Sequence, residues 1–64
     1  MKITLFEHQN FENLGSIEID SFPKKGDSVV FGDNLYVVVR RIYSENGNGL
    51  IINEQNPLEN NLTF

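Results

Sequence analysis

The sequence has no cysteine, no tryptophan and no alanine, and only one histidine. Without cysteine there is no disulfide framework, no thiol nucleophile and no cysteine-based zinc site. Basic residues are scarce: five Lys and Arg stand against nine Asp and Glu, a formal charge of −4 over 64 residues. A dedicated duplex-binding protein carries the opposite excess, gathered on one face, so that class is disfavoured. No apolar run approaches the roughly 18 residues of a membrane span. Met1–Glu7 offers neither a sustained apolar h-region nor a small-residue cleavage site, so it does not read as a signal peptide. These absences lead to the expectation of a cytoplasmic, reducing location away from membranes.

What is present suits one small domain. A chain this short buries only about 60% of its unfolded surface. Its apolar 39% must therefore be placed efficiently, or a partner must supply further burial. Five Phe and two Tyr account for most of the bulky surface, and the Phe read mainly as core. Nine Asn beside no Ala has two readings: AT-rich coding DNA, as in many phages and mobile elements of low-GC bacteria, or the needs of a turn-rich β protein.

The dominant hydrophobic period is two. Ile3 and Leu5 alternate with polar neighbours and predict a strand over 2–7, followed by a polar connection from His8 to Gly15. Ser16 to Asp20 is the cleanest alternation, a half-buried strand with Ile17 and Ile19 inward. Pro23-Lys24-Lys25-Gly26-Asp27 has the residues of a turn, and Ser28 to Phe31 a third strand. After a tight Gly32-Asp33-Asn34 hairpin comes the longest strand, Leu35 to Tyr43, apolar on both parities through Val39. That double parity means either that both faces are covered or that a bulge breaks the alternation; a bulge near Val39-Arg40 would bring Tyr36, Val38 and Ile42 into one core. Ser44 to Gly49 reads as a loop and Leu50 to Asn53 as the fifth strand, with Asn56-Pro57 ending the pattern. Leu58 to Phe64 is left as a C-terminal tail, either a short packed flap or disordered. No helix of about ten residues finds room. The expected fold is all-β: a small, highly twisted five-stranded barrel over 1–56, with 57–64 as tail.

The run Ser21-Phe22-Pro23-Lys24-Lys25-Gly26-Asp27-Ser28-Val29, followed by Leu35-Tyr36-Val37-Val38-Val39-Arg40, resembles a pattern in small bacterial and phage proteins of the SH3-like barrel type. In these a Pro-x-x-Gly-Asp-x-Val turn enters a hairpin whose second strand begins Tyr-x-Val. The resemblance covers about residues 14 to 43 and implies an SH3-like barrel. That family mostly has no assigned activity. The profile, short and acidic, is also similar to that of phage and mobile-element accessory proteins, among them anti-CRISPR-type inhibitors that block a larger nuclease sterically.

Residues capable of catalysis are sparse. His8 is the only imidazole, and Glu7 beside it would point to the opposite face of a strand. Asp27 and Asp33 lie on successive turns without a third partner, so no metal site is expected. None of the hydroxyls sits in a Gly-x-Ser-x-Gly setting, and carboxylate pairs such as Glu18 with Asp20 lack a cleft. A barrel of this size has hardly the volume for a ligand pocket. Gly47-Asn48-Gly49 has no Lys or helix after it and reads as a hairpin loop rather than a phosphate cradle. Asn61-Leu62-Thr63 matches a glycosylation acceptor by chance.

Two interaction features remain. Lys24, Lys25, Arg40 and Arg41 hold all the positive charge except Lys2, and Phe31, Tyr36 and Tyr43 are interleaved with them. Val37 to Val39 and Leu50 to Ile52 are strongly β-prone and could present an edge to a second chain. The expectation is a non-catalytic interaction protein, with no cofactor, that occupies a surface on a protein partner such as a host nuclease effector. Lys24, Lys25, Phe31, Tyr36, Arg40, Arg41, Tyr43, Asp27 and Asp33 are the candidate contacts, and acidic residues such as Glu18, Asp20 and Glu45 would face a basic groove of that partner. RNA or single-stranded DNA binding, and a structural or homodimeric module, are the alternatives.

Overall fold

The structure is a computed structural model and describes residues 1–57; the expected tail, apart from Pro57, lies outside the described residues. Five strands and no helix make up those residues: β1 (Lys2–Glu7), β2 (Asn13–Glu18), β3 (Ser28–Phe31), β4 (Asn34–Ser44) and β5 (Gly47–Pro57). They form one sheet in the order β2-β1-β5-β4-β3, strongly curled into a half-barrel. This is the small, twisted five-stranded architecture that the period-two pattern implies. Since the described residues include no helix, none is long and apolar enough to cross a membrane.

Three of the four connections are hairpins, and their turns are short. Gly32-Asp33 joins β3 to β4, and Glu45-Asn46 joins β4 to β5. The longer link from β2 to β3 crosses the half-barrel, so that β1 comes to lie parallel to β5, with Leu5 opposite Leu50. Both ends of the chain's best strands thus meet in the centre of the sheet, where every backbone group finds a partner more readily than at an edge. β4 and β5 are interior strands, and the sheet's edges are β2 and β3. The apolar runs at Val37–Val39 and Leu50–Ile52 therefore do not form the expected edge; they lie on two strands that are each paired on both sides.

The concave face holds the core. Ile3, Leu5, Val38, Leu50 and Ile52 are fully buried, with Val29 and Tyr36 beside them and Leu14, Ile17, Ile19, Phe22 and Phe31 packed around the rim. Each buried aliphatic chain contributes about 1.5–3 kcal/mol relative to exposure. In a chain of this size that is the bulk of the favourable free energy.

The register of β4 against β5 shifts between Val38 and Arg40, so a bulge sits at Val39, one of the two readings that the double parity allows. Its consequence differs from the expectation. Tyr36 and Val38 face the core before the bulge, but the extra residue transfers that face to Arg41, opposite Leu50. Ile42, opposite Gly49, turns outward instead of joining the core.

Two other strands are longer, or begin earlier, than the pattern implies. β2 starts at Asn13, and Gly15 lies inside it opposite Leu5 rather than ending a loop. β5 starts at Gly47, because a two-residue turn suffices where a six-residue loop was expected.

Gly15 also closes the half-barrel. Its φ is +130°, and a Cβ built there would lie 2.9 Å from Cζ of Phe31. The Phe31 ring, on one edge strand, thus rests on the bare backbone of the other and joins β2 to β3 through packing alone. Gly26 also has positive φ (+93°), but open space surrounds it. Gly15→Ala should therefore cost more than Gly26→Ala. The second carries only backbone strain of about 1 kcal/mol, whereas the first adds overpacking of about 1–3 kcal/mol against Phe31. Urea denaturation of the two variants measures the difference, and equal losses would remove Phe31 from the seam.

Candidate functional site: a basic groove and an uncharged depression

The turn from β2 to β3 is held against β4 at two points. Asp27 closes it internally: its carboxylate accepts from the Lys24 N–H at 2.8 Å, and its own N–H donates to the Lys24 carbonyl at 3.0 Å. The Gly26 N–H donates to the Val38 carbonyl, and the Val38 N–H to the Asp27 carbonyl, both at 2.9 Å. These bonds extend the β3–β4 ladder by one step and fix Lys24 and Lys25 beside the bulge.

Arg41 forms the second attachment. Its Nε donates to the Pro23 carbonyl at 2.8 Å and its Nη2 to the Phe22 carbonyl at 3.0 Å. The guanidinium lies 4.9 Å from the centre of the Phe22 ring, and Nη1 donates to the Tyr43 hydroxyl at 3.0 Å. Phe22 and Tyr43 meet edge to face, 5.2 Å between centroids. A planar fork of donors satisfies the two carbonyls in one fixed geometry, which the flexible tetrahedral ammonium of a lysine does not reproduce.

Lys24, Lys25, Arg40 and Arg41 therefore gather around Val39 in an open groove of about 470 Å3. Arg40 and Arg41 lie on opposite faces of β4 just after the bulge, and both border the groove beside Val39. Among the described residues the ion pairs are the Met1 N-terminus with Glu18 and Glu7 with His8, so none of these four cations pairs with a described acidic side chain.

The other candidate contacts are placed differently. Tyr36 is buried in the core, and Phe31 is half-buried in the seam. Tyr43 is 66% exposed at the rim of the Arg41 cluster. Asp27 builds the turn. Asp33 lies in the β3–β4 turn and Glu45 in the β4–β5 turn, at opposite ends of β4, so the acidic residues do not share one face.

The convex face carries a second feature, one that the sequence reading missed. Phe6, Phe11 and Ile42 floor an open depression of about 550 Å3. It lies outside the barrel, so the small interior that argues against a pocket places no limit on it. The Phe6 ring covers Gly49, where a Cβ would come within 3.1 Å of the ring and 3.3 Å of the Thr4 carbonyl. Phe6 is out of phase with Ile3 and Leu5, and Phe11 is an aromatic in an otherwise polar connection. Those were the available signals.

The β1–β2 loop holds Phe11 in place. Glu7 exchanges backbone hydrogen bonds with Glu12 and Phe11, at 2.9 and 2.8 Å. Its carboxylate accepts from the N–H groups of Gln9 (2.7 Å) and Asn10 (3.1 Å) and approaches His8 Nδ1 at 3.3 Å. Glu7 and His8 meet because the strand ends between them, ending the alternation that would separate them. Desolvation raises the Glu7 pKa, but the two backbone donors and the His8 ring outweigh it, and the net shift is downward.

Two predictions test these contacts. Arg41→Lys should destabilise the fold by about 1–3 kcal/mol through two half-buried carbonyls left short of donors. Arg40→Ala, exposed on the groove's other side, should stay within about 0.5 kcal/mol in the same denaturation experiment. A carboxylate with a depressed folded pKa stabilises above its unfolded value, and that stabilisation disappears as pH falls through the folded value. Hydrogen exchange at Gln9 and Asn10 should accordingly accelerate as pH drops below about 4.3, beyond the intrinsic trend, and Glu7→Gln should remove the pH step. Compared with known proteins, the chain matches no family model, no curated protein and no solved structure.

Proposed function

We propose that this protein is a non-catalytic interaction module that acts by occupying a surface of a larger protein, as inhibitory accessory proteins of phages and mobile elements do. The observation that carries this reading is charge segregation. Four of the five Lys and Arg line one groove and pair with no acidic side chain among the described residues; Asp27 closes the adjoining turn, and Lys2 is the remaining basic side chain against the other eight carboxylates of the sequence. A groove of uncompensated cations takes an acidic stretch of a partner, and the acidic remainder disfavours partners of the wrong charge and complements a basic channel such as that of a nuclease effector. Arg40 and Tyr43, exposed beside the groove, are of the residue types that dominate binding energy at interfaces.

Binding of single-stranded nucleic acid is the second reading, since the same cations would track a phosphate backbone. It needs aromatic platforms for bases. Of the three expected, Tyr36 is buried and Phe31 half-buried, leaving Tyr43 exposed. A protein partner is the better fit.

The experiment is affinity capture with tagged protein from the cells that carry the gene, followed by cross-linking through Lys24 and Lys25. One stoichiometric partner is expected, cross-linked through a segment rich in Asp and Glu, with capture lost in Lys25→Glu/Arg40→Glu and weakened by salt. Capture unchanged in the double variant would sink the groove's role. Oligonucleotide affinity that falls steeply with salt and vanishes in Arg40→Ala would transfer the assignment to nucleic acid.

A further inference from the structure

The convex depression is built differently from the basic groove and shares no lining residue with it. We propose that it is a binding site for a neutral saccharide. Three observations converge on that chemistry. The first is the floor: Phe6, Phe11 and Ile42 offer two ring faces and an aliphatic surface, complementary to the C–H faces of a sugar ring.

The second is the rim. Asn13, Asn46 and Asn48, with Thr4 and Ser44, surround the floor, and none of the residues lining the depression is charged, in a chain that is 22% charged. An anionic or cationic ligand would find no counter-charge there. Side-chain amides both donate and accept, which is what a hydroxyl requires of its partner. Asn13 uses its Oδ1 on the Gly15 N–H at 2.9 Å, which leaves its amide N–H groups directed elsewhere. Among the described residues the Asn48 side chain reaches only the Met1 sulfur, at 3.7 Å. A volume of about 550 Å3 lies within the roughly 300–1,000 Å3 of small-molecule sites and accommodates a mono- or disaccharide unit.

The third is strain. Phe11 is the one non-glycine residue with positive φ among the described residues, at +58°, and its side chain is 61% exposed. A bulky aromatic in that conformation is an outlier. Folding alone gains little from an exposed ring held in a strained backbone. The Glu7 carboxylate and the Asn10 side chain, which accepts from the Glu12 N–H at 3.0 Å, fix the loop that holds it. A preformed ring at the mouth of an uncharged depression lowers the ordering cost of binding a weakly held ligand.

Titration of the isotope-labelled protein by NMR, with a panel of neutral mono- and disaccharides (glucose, N-acetylglucosamine, maltose, cellobiose and lactose), tests the site. At least one should shift the amides of Phe6, Phe11, Asn48 and Gly49 saturably, and added salt should leave the affinity unchanged. Phe11→Gly removes the ring and relieves the positive φ together. It should weaken binding about tenfold, the scale of one lost aromatic contact, while its melting temperature stays equal or rises. No shift with any sugar of the panel overturns the proposal, as does an affinity left unchanged by Phe11→Gly or binding that shifts only Lys24 to Arg41. A fall in melting temperature for Phe11→Gly would show that the ring serves the fold instead.

Discussion

One extra residue in β4 organises the molecule's surface. In an unbroken strand Tyr36, Val38, Arg40 and Ile42 would share a face, and an arginine would be driven into the core beside Val38. The bulge at Val39 changes which arginine takes that face. It ends the buried run at Val38 and turns Arg40 outward. It also puts Arg41 at the end of the core, where the Phe22 and Pro23 carbonyls and the Phe22 ring receive its guanidinium. Ile42 turns to the convex side beside Phe6 and Gly49. Both surface features, the basic groove and the uncharged depression, thus follow from one register shift.

The rest of the small core is arranged around close backbone approach. With five strands and no helix to cover them, the sheet must curl until its two faces have different environments. Curling brings β2 and β3 near each other without a ladder between them, and Phe31 over Gly15 fills the gap. The convex face repeats the device, with Phe6 over Gly49. In each case a glycine lets a phenylalanine bring the tip or edge of its ring against the backbone, closer than any side chain there would allow.

Much of this was legible in the sequence, and the exceptions have physical causes. Ile3 and Leu5, and Ser28 to Phe31, gave strand limits that the structure reproduces, because alternation against a single core is a strong signal. The bulge was readable because Leu35 to Val39 is apolar on both parities. Its effect on Ile42 was not, since counting parity past a bulge requires knowing which residue is extra. Gly15 and Gly47 to Gly49 read as loop because glycine is a turn former, yet here the glycines serve close packing and a two-residue turn inside long strands. The parallel pairing of β1 with β5 depends on contacts between the two ends of the described chain, and no local pattern encodes those. Lys24, Lys25, Arg40 and Arg41 could be named from composition, but only the turn bonds through Asp27 and Val38 explain why they meet.

A chain with so little interior must act through its surface, and the surface is divided by chemistry. The groove at the bulge concentrates positive charge in an otherwise acidic molecule; the depression on the convex face excludes charge altogether. Long-range fields act at the first and contribute little at the second, where aromatic rings and amides act only at contact. The two surfaces therefore need not compete. Arg41 and Ile42 are neighbours in sequence and point to opposite faces, so one strand serves both surfaces. A substitution at Val39 that abolished the bulge would disturb the groove and the depression together, whereas changes at Lys25 or Phe11 would affect one and spare the other.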